Sequence, residues 1–345
     1  MRCSSDPVSL QNCKEPLHIS DLAALAEILS TAEGTFISID LAGKTVATGS
    51  TASAPDLTVK KGGKLCLSNG GLSMPPGCCL KVDPGAALEL NSIRVSGQGM
   101  AGHGLVTVKG AGADARLTDC HVTGQGRTEG SSDAVLVADG GTGSLVKCTL
   151  TAAAGDGLSV RGAGSSADAT DCMTSKCRAN GYAACEGGLL TATRCVASKN
   201  KKVGFLASGA GSTLQAGPAC RAFGNGAQGF NAEGMAKLTC GKGCTATGNA
   251  GSGFRAQGPG ALLEAGPECR AEGSGGNGFF AFEGGKLIAG EGCIASGSTW
   301  AGFIAREGAS ELTVGVGCQS TGNSAQGFNA EGGAKLVAGD SCVAR

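Results

Sequence analysis

Apolar residues in this chain alternate with polar ones in short bursts. Phe230 and Ala232 fall on one side of such a burst, Asn231 and Glu233 on the other; Leu238 and Cys240 repeat the pattern, then Cys244 and Ala246. A period of two is that of a β-strand. Each burst ends in Gly, Asn or Ser, as at Gly248 and Asn249 or Gly322 and Asn323, residues that readily supply left-handed turns.

The bursts recur in columns. An aromatic after Gly returns as Tyr182, Phe205, Phe230, Phe254, Phe279, Phe303 and Phe328, in steps of 23, 25, 24, 25, 24 and 25 residues. Leu158, Val135 and Leu105 are expected to extend the column upstream, past an insertion near residues 127–131. A cysteine column runs Cys148, Cys172, Cys195, Cys220, Cys244, Cys269, Cys293, Cys318 and Cys342, and from Cys148 to Cys318 each is followed ten residues later by the aromatic or by Leu158. From Phe230 onward the distance from Phe to the next column Leu alternates between 8 and 9, so the unit is two coils, 49 residues. AQGFNAEGMAKL at 227–238 and AQGFNAEGGAKL at 325–336 lie two such units apart.

Three short strands per turn of 24–25 residues predict an all-β parallel β-helix, each coil pairing with the next at about 4.8 Å. A leucine-rich repeat would need several leucines per unit, and this chain offers one. DLAALAEIL, with Ser20 as N-cap and Asp21 near the positive end, predicts a helix covering the first coil, as terminal units of a solenoid require. TFISIDLAGKTV then reads as the first strands. The expected organisation is an N-terminal segment at 1–17 and one β-helix domain at 18–345, divided into a capping helix at 18–34, irregular coils at 35–104 and regular coils at 105–345. No matching cap follows the last coil, so the chain is either a fragment or that end meets another surface in an end-to-end contact.

The helix–strand opening, the stretch VDPGAALELNSIRVSG at 82–97 and the coils from Leu105 onward resemble the right-handed parallel β-helix of the pectin-lyase-like superfamily. That resemblance covers about residues 18–345 and specifies fold far better than activity. It implies two classes of function: carbohydrate-active enzymes such as pectate lyases, polygalacturonases and alginate epimerases, or non-catalytic surface and scaffold proteins.

Composition narrows this. Gly is 62 of 345 residues and aromatics are 3%, which suits a narrow core where backbones approach closely. Lys plus Arg equals Asp plus Glu at 28 each, so no electrostatic case exists for nucleic acid. No apolar run has the length of a membrane span. No secretory h-region and no N-x-[ST] sequon occurs, which leads to an intracellular, cytoplasmic expectation, or a secreted one if a leader has been removed. Stacked cysteines would keep their Cβ atoms near 4.8 Å, beyond the roughly 3.5–4.5 Å of a disulfide, so the column is expected to hold reduced thiols acting as small hydrophobes. Cys78, Cys79, Cys172 and Cys177 do not follow this logic. No His or carboxylate recurs beside the thiols, so neither a metal nor a cofactor is expected.

Two surface features carry candidate chemistry. The position two before each coil's first apolar residue reads His103, Asp133, Asp156 and Asn180. In register, Asp133 and Asp156 would lie about 5 Å apart with His103 one coil beyond, a pair able to share a proton, while Lys109 and Arg161 could hold an acidic sugar. The same position is also a turn slot that favours Asp and Asn, and Gln228, Ser252, Asn277 and Gln326 fill it later. GHG at 102–104 is similar to a polygalacturonase motif, but the companion acid motifs of that family are missing. The second feature is Phe280, Phe282 and Ile304 on the outward side of the aromatic strands, with Trp300 in the preceding turn and Arg255, Arg306 and Glu331 at the rim. It reads as an exposed binding patch for protein or sugar, with loop cover as the alternative. A regular Thr array for ice binding is missing. The sequence favours a non-catalytic scaffold or binding module presenting its ladder surface to a protein or polysaccharide; the alternative is a polysaccharide lyase, glycoside hydrolase or epimerase using Asp133, Asp156 and His103 on an acidic polymer.

Overall fold

In a computed structural model, the structure describes residues 22–31, 33–47, 56–125 and 132–345. The chain winds into a parallel β-helix. Twelve strands, from Leu57–Val59 to Phe328–Glu331, form one ladder with one strand per coil. The other two strands of each coil build a continuous 24-stranded sheet, fused where the long strands Lys64–Ser73 and Ala87–Gly97 run through both sides.

The aromatic column is the spine of the core. Tyr182, Phe205, Phe230, Phe254, Phe279, Phe303 and Phe328 pair in register through the 12-stranded ladder. Their rings stack with centroids 4.7–5.0 Å apart and planes within 9°. Parallel strands fix this spacing, so identical side chains on successive coils meet face to face. Upstream, Leu158 and Val135 continue the column as expected, but Val135 pairs with Val106 rather than Leu105.

The glycine before each aromatic is needed for space rather than for an unusual backbone angle. A Cβ on Gly278 would lie 2.5 Å from the Gly302 carbonyl oxygen and 2.6 Å from the Ala295 methyl. Only glycine lets consecutive coils close at this corner.

The cysteine column lies inside, and all cysteines among the described residues are free thiols. Each column thiol points at a backbone carbonyl of the preceding coil, as Cys148 does at Leu117 O (3.3 Å) and Cys318 at Gly290 O (3.1 Å). A second internal ladder is built of asparagines. The Asn225 amide nitrogen donates to Ala197 O and to Asn249 Oδ1, while Asn225 Oδ1 accepts from the Asn200 backbone N–H. Buried turn backbone is thereby satisfied coil by coil.

The helix Leu22–Thr31 buries Leu25, Ala26 and Leu29 in the core at the first coil. Ser20 and Asp21, expected to cap it, and the insertion expected near 127–131 lie outside the described residues. In the last coil Phe328, Leu336 and Cys342 are only partly buried. Among the described residues no helix is long and apolar enough to cross a membrane.

Candidate functional site

The outer face of the 12-stranded ladder carries both features singled out in the sequence. Two outward positions per strand form two columns. The first runs Thr107, Leu136, Ser159, Ala183, Leu206, Asn231, Arg255, Phe280, Ile304; the second runs Lys109, Ala138, Arg161, Cys185 and onward to Phe282 and Arg306. The first column is largely covered, because the turn preceding each strand folds over it. The covering residue is the one two positions before the inner aromatic.

Asp133 and Asp156 occupy that covering position on adjacent coils, in register as expected. Both are buried: the Asp133 side chain is 2% exposed and that of Asp156 7%. Asp133 Oδ1 accepts the Asp156 backbone N–H at 2.7 Å, and Asp156 Oδ1 accepts the Asn180 backbone N–H at 2.8 Å and its side-chain amide at 2.9 Å. Asn180 Oδ1 in turn accepts the Val203 N–H at 3.1 Å. The remaining oxygens converge on one guanidinium: Arg161 donates to Asp133 Oδ2 at 3.0 Å and Asp156 Oδ2 at 3.4 Å, while its Nε donates to Ser159 Oγ at 2.7 Å. Burial, followed by the neighbouring Asp156 charge, raises the Asp133 carboxyl to about 7 against the pull of Arg161. Below about pH 7 Asp133 therefore holds a proton beside the Arg161 guanidinium. The thiols of Cys177 and Cys185 are each pushed up to about 12, by burial first and Asp156 second, so neither is a ready nucleophile.

His103 does not join this pair. Asp133 pairs with Gly104, which places His103 one residue behind in the ladder, beside Ser132. The imidazole instead lines a separate pocket with Lys81 and Lys109. The register count from Leu105 fails here because this coil is 29 residues long, from Gly104 to Asp133.

The aromatic patch is also rearranged relative to expectation. Phe280 is 8% exposed and Ile304 is buried, packed with Ala301 in a small cluster. Phe282 is half-buried and stacks on Phe280 at 5.0 Å, and only Trp300 stands out, 54% exposed. The expectation of exposed Phe280 and Ile304 is corrected: Ala301 occupies the covering position and closes over them. Val203 does the same for Leu206 and Ala183. At the rim, Arg255 donates to Asn231 Oδ1 (2.9 Å) and lies 3.6 Å from Glu233, while Arg306 bridges Glu307 (3.1 Å) and Glu331 (3.7 Å). Burial lowers the Arg255 pKa despite the nearby Glu233 and Glu283.

Sequence reasoning missed Ser159, which orients Arg161, and the clamp role of Arg161 itself. It also passed over Val203 and Ala301, the apolar members of the covering column, which would have announced loop cover over Leu206 and Phe280. Among the described residues no group of three or more His, Cys, Asp or Glu is placed to hold a metal ion.

A family described as a right handed beta helix region matches residues 66–217. No curated protein matches the chain. Among solved structures, the A-module of the Azotobacter vinelandii mannuronan C-5 epimerase is similar at 13% identity and a TM-score of 0.51, over 82% of this chain and 91% of that one. The catalytic unit of a thermostable alpha-1,3-glucanase from Streptomyces thermodiastaticus strain HF3-3 is similar at 12% identity and a TM-score of 0.51, over 99% of this chain and 69% of that one. At these identities the likeness is one of fold. With the repeat, the three-ladder winding and the helical cap, it makes this molecule a right-handed parallel β-helix.

Proposed function

We propose that the chain acts on a polysaccharide lying along the outer face of the 12-stranded ladder, with Asp133, Asp156 and Arg161 at the reaction centre. The observation that carries this reading is the shared guanidinium: two carboxyls on adjacent coils, one raised to about 7, meet on a single arginine. Such a pair can divide acid and base roles, with Asp133, whose carboxyl is raised, as the acid candidate and Asp156 as the second carboxyl. The strand spacing of about 4.8 Å is closer to a retaining pair, about 5–5.5 Å, than to an inverting one. Arg161, one third exposed, is the member of the cluster that a polymer meets first. Solved structures that share the fold include an epimerase and a glucanase, which supports this reading over a non-catalytic scaffold.

A second reading, polysaccharide binding without turnover, draws on a specific observation. Each carboxyl already uses one oxygen on a backbone N–H of the next coil, the same duty that Asn180 performs. The deciding experiment incubates the protein with polyuronates and α-glucans. Reducing ends, unsaturated products and C5 configuration are measured alongside polymer binding. The enzymatic reading expects turnover that falls at least about 100-fold in Asp133→Asn and Asp156→Asn. Binding without turnover would overturn it in favour of the second, and no binding at all would overturn both.

A further inference from the structure

We propose that the solenoid binds two water molecules inside its wall, one beside Ser274 and one beside Ser298, where they stand in for the amides of two asparagines. These sites are independent of the polysaccharide reading above. Where the internal asparagine ladder is intact, each asparagine does two things for the coil before it. Its Oδ1 accepts that coil's turn N–H, as Asn225 does from Asn200 (3.1 Å) and Asn249 from Asn225 (3.0 Å). Its Nδ2 donates to a buried carbonyl, Asn225 to Ala197 O and Asn249 to Ala222 O, both at 3.0 Å. Asn323 resumes the pattern, accepting the Ser298 N–H at 2.8 Å and donating to Ala295 O at 3.1 Å. On the coils between Asn249 and Asn323 the ladder position is filled by Ser274 and Ser298.

A serine is too short for both duties. Ser274 Oγ and Ser298 Oγ are buried without a hydrogen-bond partner among the described residues. The Asn249 and Ser274 backbone N–H groups, which an asparagine on the next coil would take, likewise meet no acceptor among the described residues. Ala246 O and Ala271 O, the ladder counterparts of Ala197 O and Ala222 O, receive no side-chain donor there. Each of the two coils therefore gathers a donor, an acceptor and a hydroxyl at one buried point, and buried groups of this kind are rarely left unpaired. Their chemistry selects the ligand. An N–H needs an acceptor, which excludes a metal cation; a carbonyl needs a donor, which excludes a simple anion. Water serves both, and about three polar partners are what a buried water takes. Shortening Asn to Ser frees on the order of 30 Å³, one water's share of the liquid. Both serines lie beside the outer aromatic patch. Ser274 opens the turn of Asn277, whose Oδ1 accepts the Ala301 N–H at 3.0 Å, and Ser298 opens the turn in which Ala301 closes over Phe280 and Ile304. This turn is bridged to the coil before it through water, whereas Asn200, which opens the Val203 turn, accepts the Cys177 N–H directly at 3.0 Å.

The test is diffraction from crystals of the full chain, at a resolution that shows ordered water. The expected result is one water peak at each serine, about 3 Å from the serine Oγ and from the Asn249 or Ser274 backbone nitrogen respectively. Serine hydroxyls turned directly onto those backbone groups, with no water density beside them, would overturn the proposal. Two variants sharpen the result. Ser274→Asn combined with Ser298→Asn should displace both waters with its amides and leave the urea midpoint unchanged or raised. Asn225→Ser, made where the ladder is intact, should add a water peak beside residue 225 and lower the midpoint. A double variant that kept both water peaks, or whose midpoint fell below that of the wild type, would overturn the proposal, as would an Asn225→Ser structure with a dry gap. The wild-type density decides the matter even where a variant fails to fold.

Discussion

Upstream, the position two before the inner residues Val135, Leu158 and Tyr182 is polar: Asp133, Asp156 and Asn180 accept the backbone N–H of the following coil. Downstream the position varies: Asn277 still accepts the next coil's N–H, from Ala301, whereas at Val203 and Ala301 it is apolar and closes over Leu206 or over Phe280 and Ile304. The backbone is the same in both regions, and one inner column runs through both, as Val135 and Leu158 upstream and as stacked rings from Tyr182 onward. What differs is how a covered turn is stabilised, by a side-chain acceptor in one and by apolar contact in the other. The first solution leaves ionisable groups under the surface with an arginine to balance them. The second leaves an inert face with Trp300 at its edge. Chemistry on this solenoid is therefore a local substitution within a common design.

Several substitutions would break or sharpen this contrast. The largest effect should come from the part the two regions share. Phe254→Ala removes one ring from the stack and should cost about 3–5 kcal/mol in denaturant unfolding; a loss below about 1 kcal/mol would mean that the column is not the spine of the core. Arg161→Met, upstream only, leaves the buried carboxyls without their cation. It should cost about 2 kcal/mol near pH ~8, below the range for a fully buried pair because Arg161 is partly exposed, and much less near pH ~5. A loss independent of pH would show that Arg161 acts through packing alone.

Asp133 gives a third, smaller effect of definite sign. Its folded pKa of about 7 lies above the ordinary 3.8, so the folded protein holds a proton that the unfolded chain releases. Its contribution to stability is fully present below about pH 4 and is lost as pH rises through about 7. Urea midpoints of wild type and Asp133→Asn across this interval should diverge, the wild type falling relative to the variant as pH rises. Parallel curves would mean that Asp133 is ionised throughout. The smallest effect is expected from Val203→Asn, which converts a downstream position to the upstream type. An asparagine there can accept the next coil's N–H, so stability should change by less than about 1 kcal/mol. A loss of several kcal/mol would show that the two solutions are not interchangeable.

The fold was legible because stacking turns a spatial column into a sequence period. Phe230, Leu238 and Cys244 recur at coil length, and glycine precedes the aromatic because a Cβ there would strike the next coil. The Asp133–Asp156 adjacency was legible for the same reason. His103 was not, since it lies across the 29-residue coil, where counting from Leu105 slips by one position. The burial of Phe280 was legible only as one of two alternatives, because alternation tells inside from outside only when nothing folds over the outside. Ala301, a small residue in the covering column, was the only local sign. The clamp by Arg161 was hidden for another reason: it joins residues 28 and 5 positions away, a relation that emerges only once the coils are stacked.

The stacked coils also make this molecule a ruler. Each coil advances the surface by one strand spacing, about 4.8 Å, and the repeating unit is two coils. Inserting or deleting one such unit between Arg161 and Phe282 would move the charged region and the Trp300 region apart or together by about 10 Å without disturbing either. The distance between two surface sites is thus encoded as a count of repeats, a quantity that duplication changes in whole steps and point substitution leaves alone.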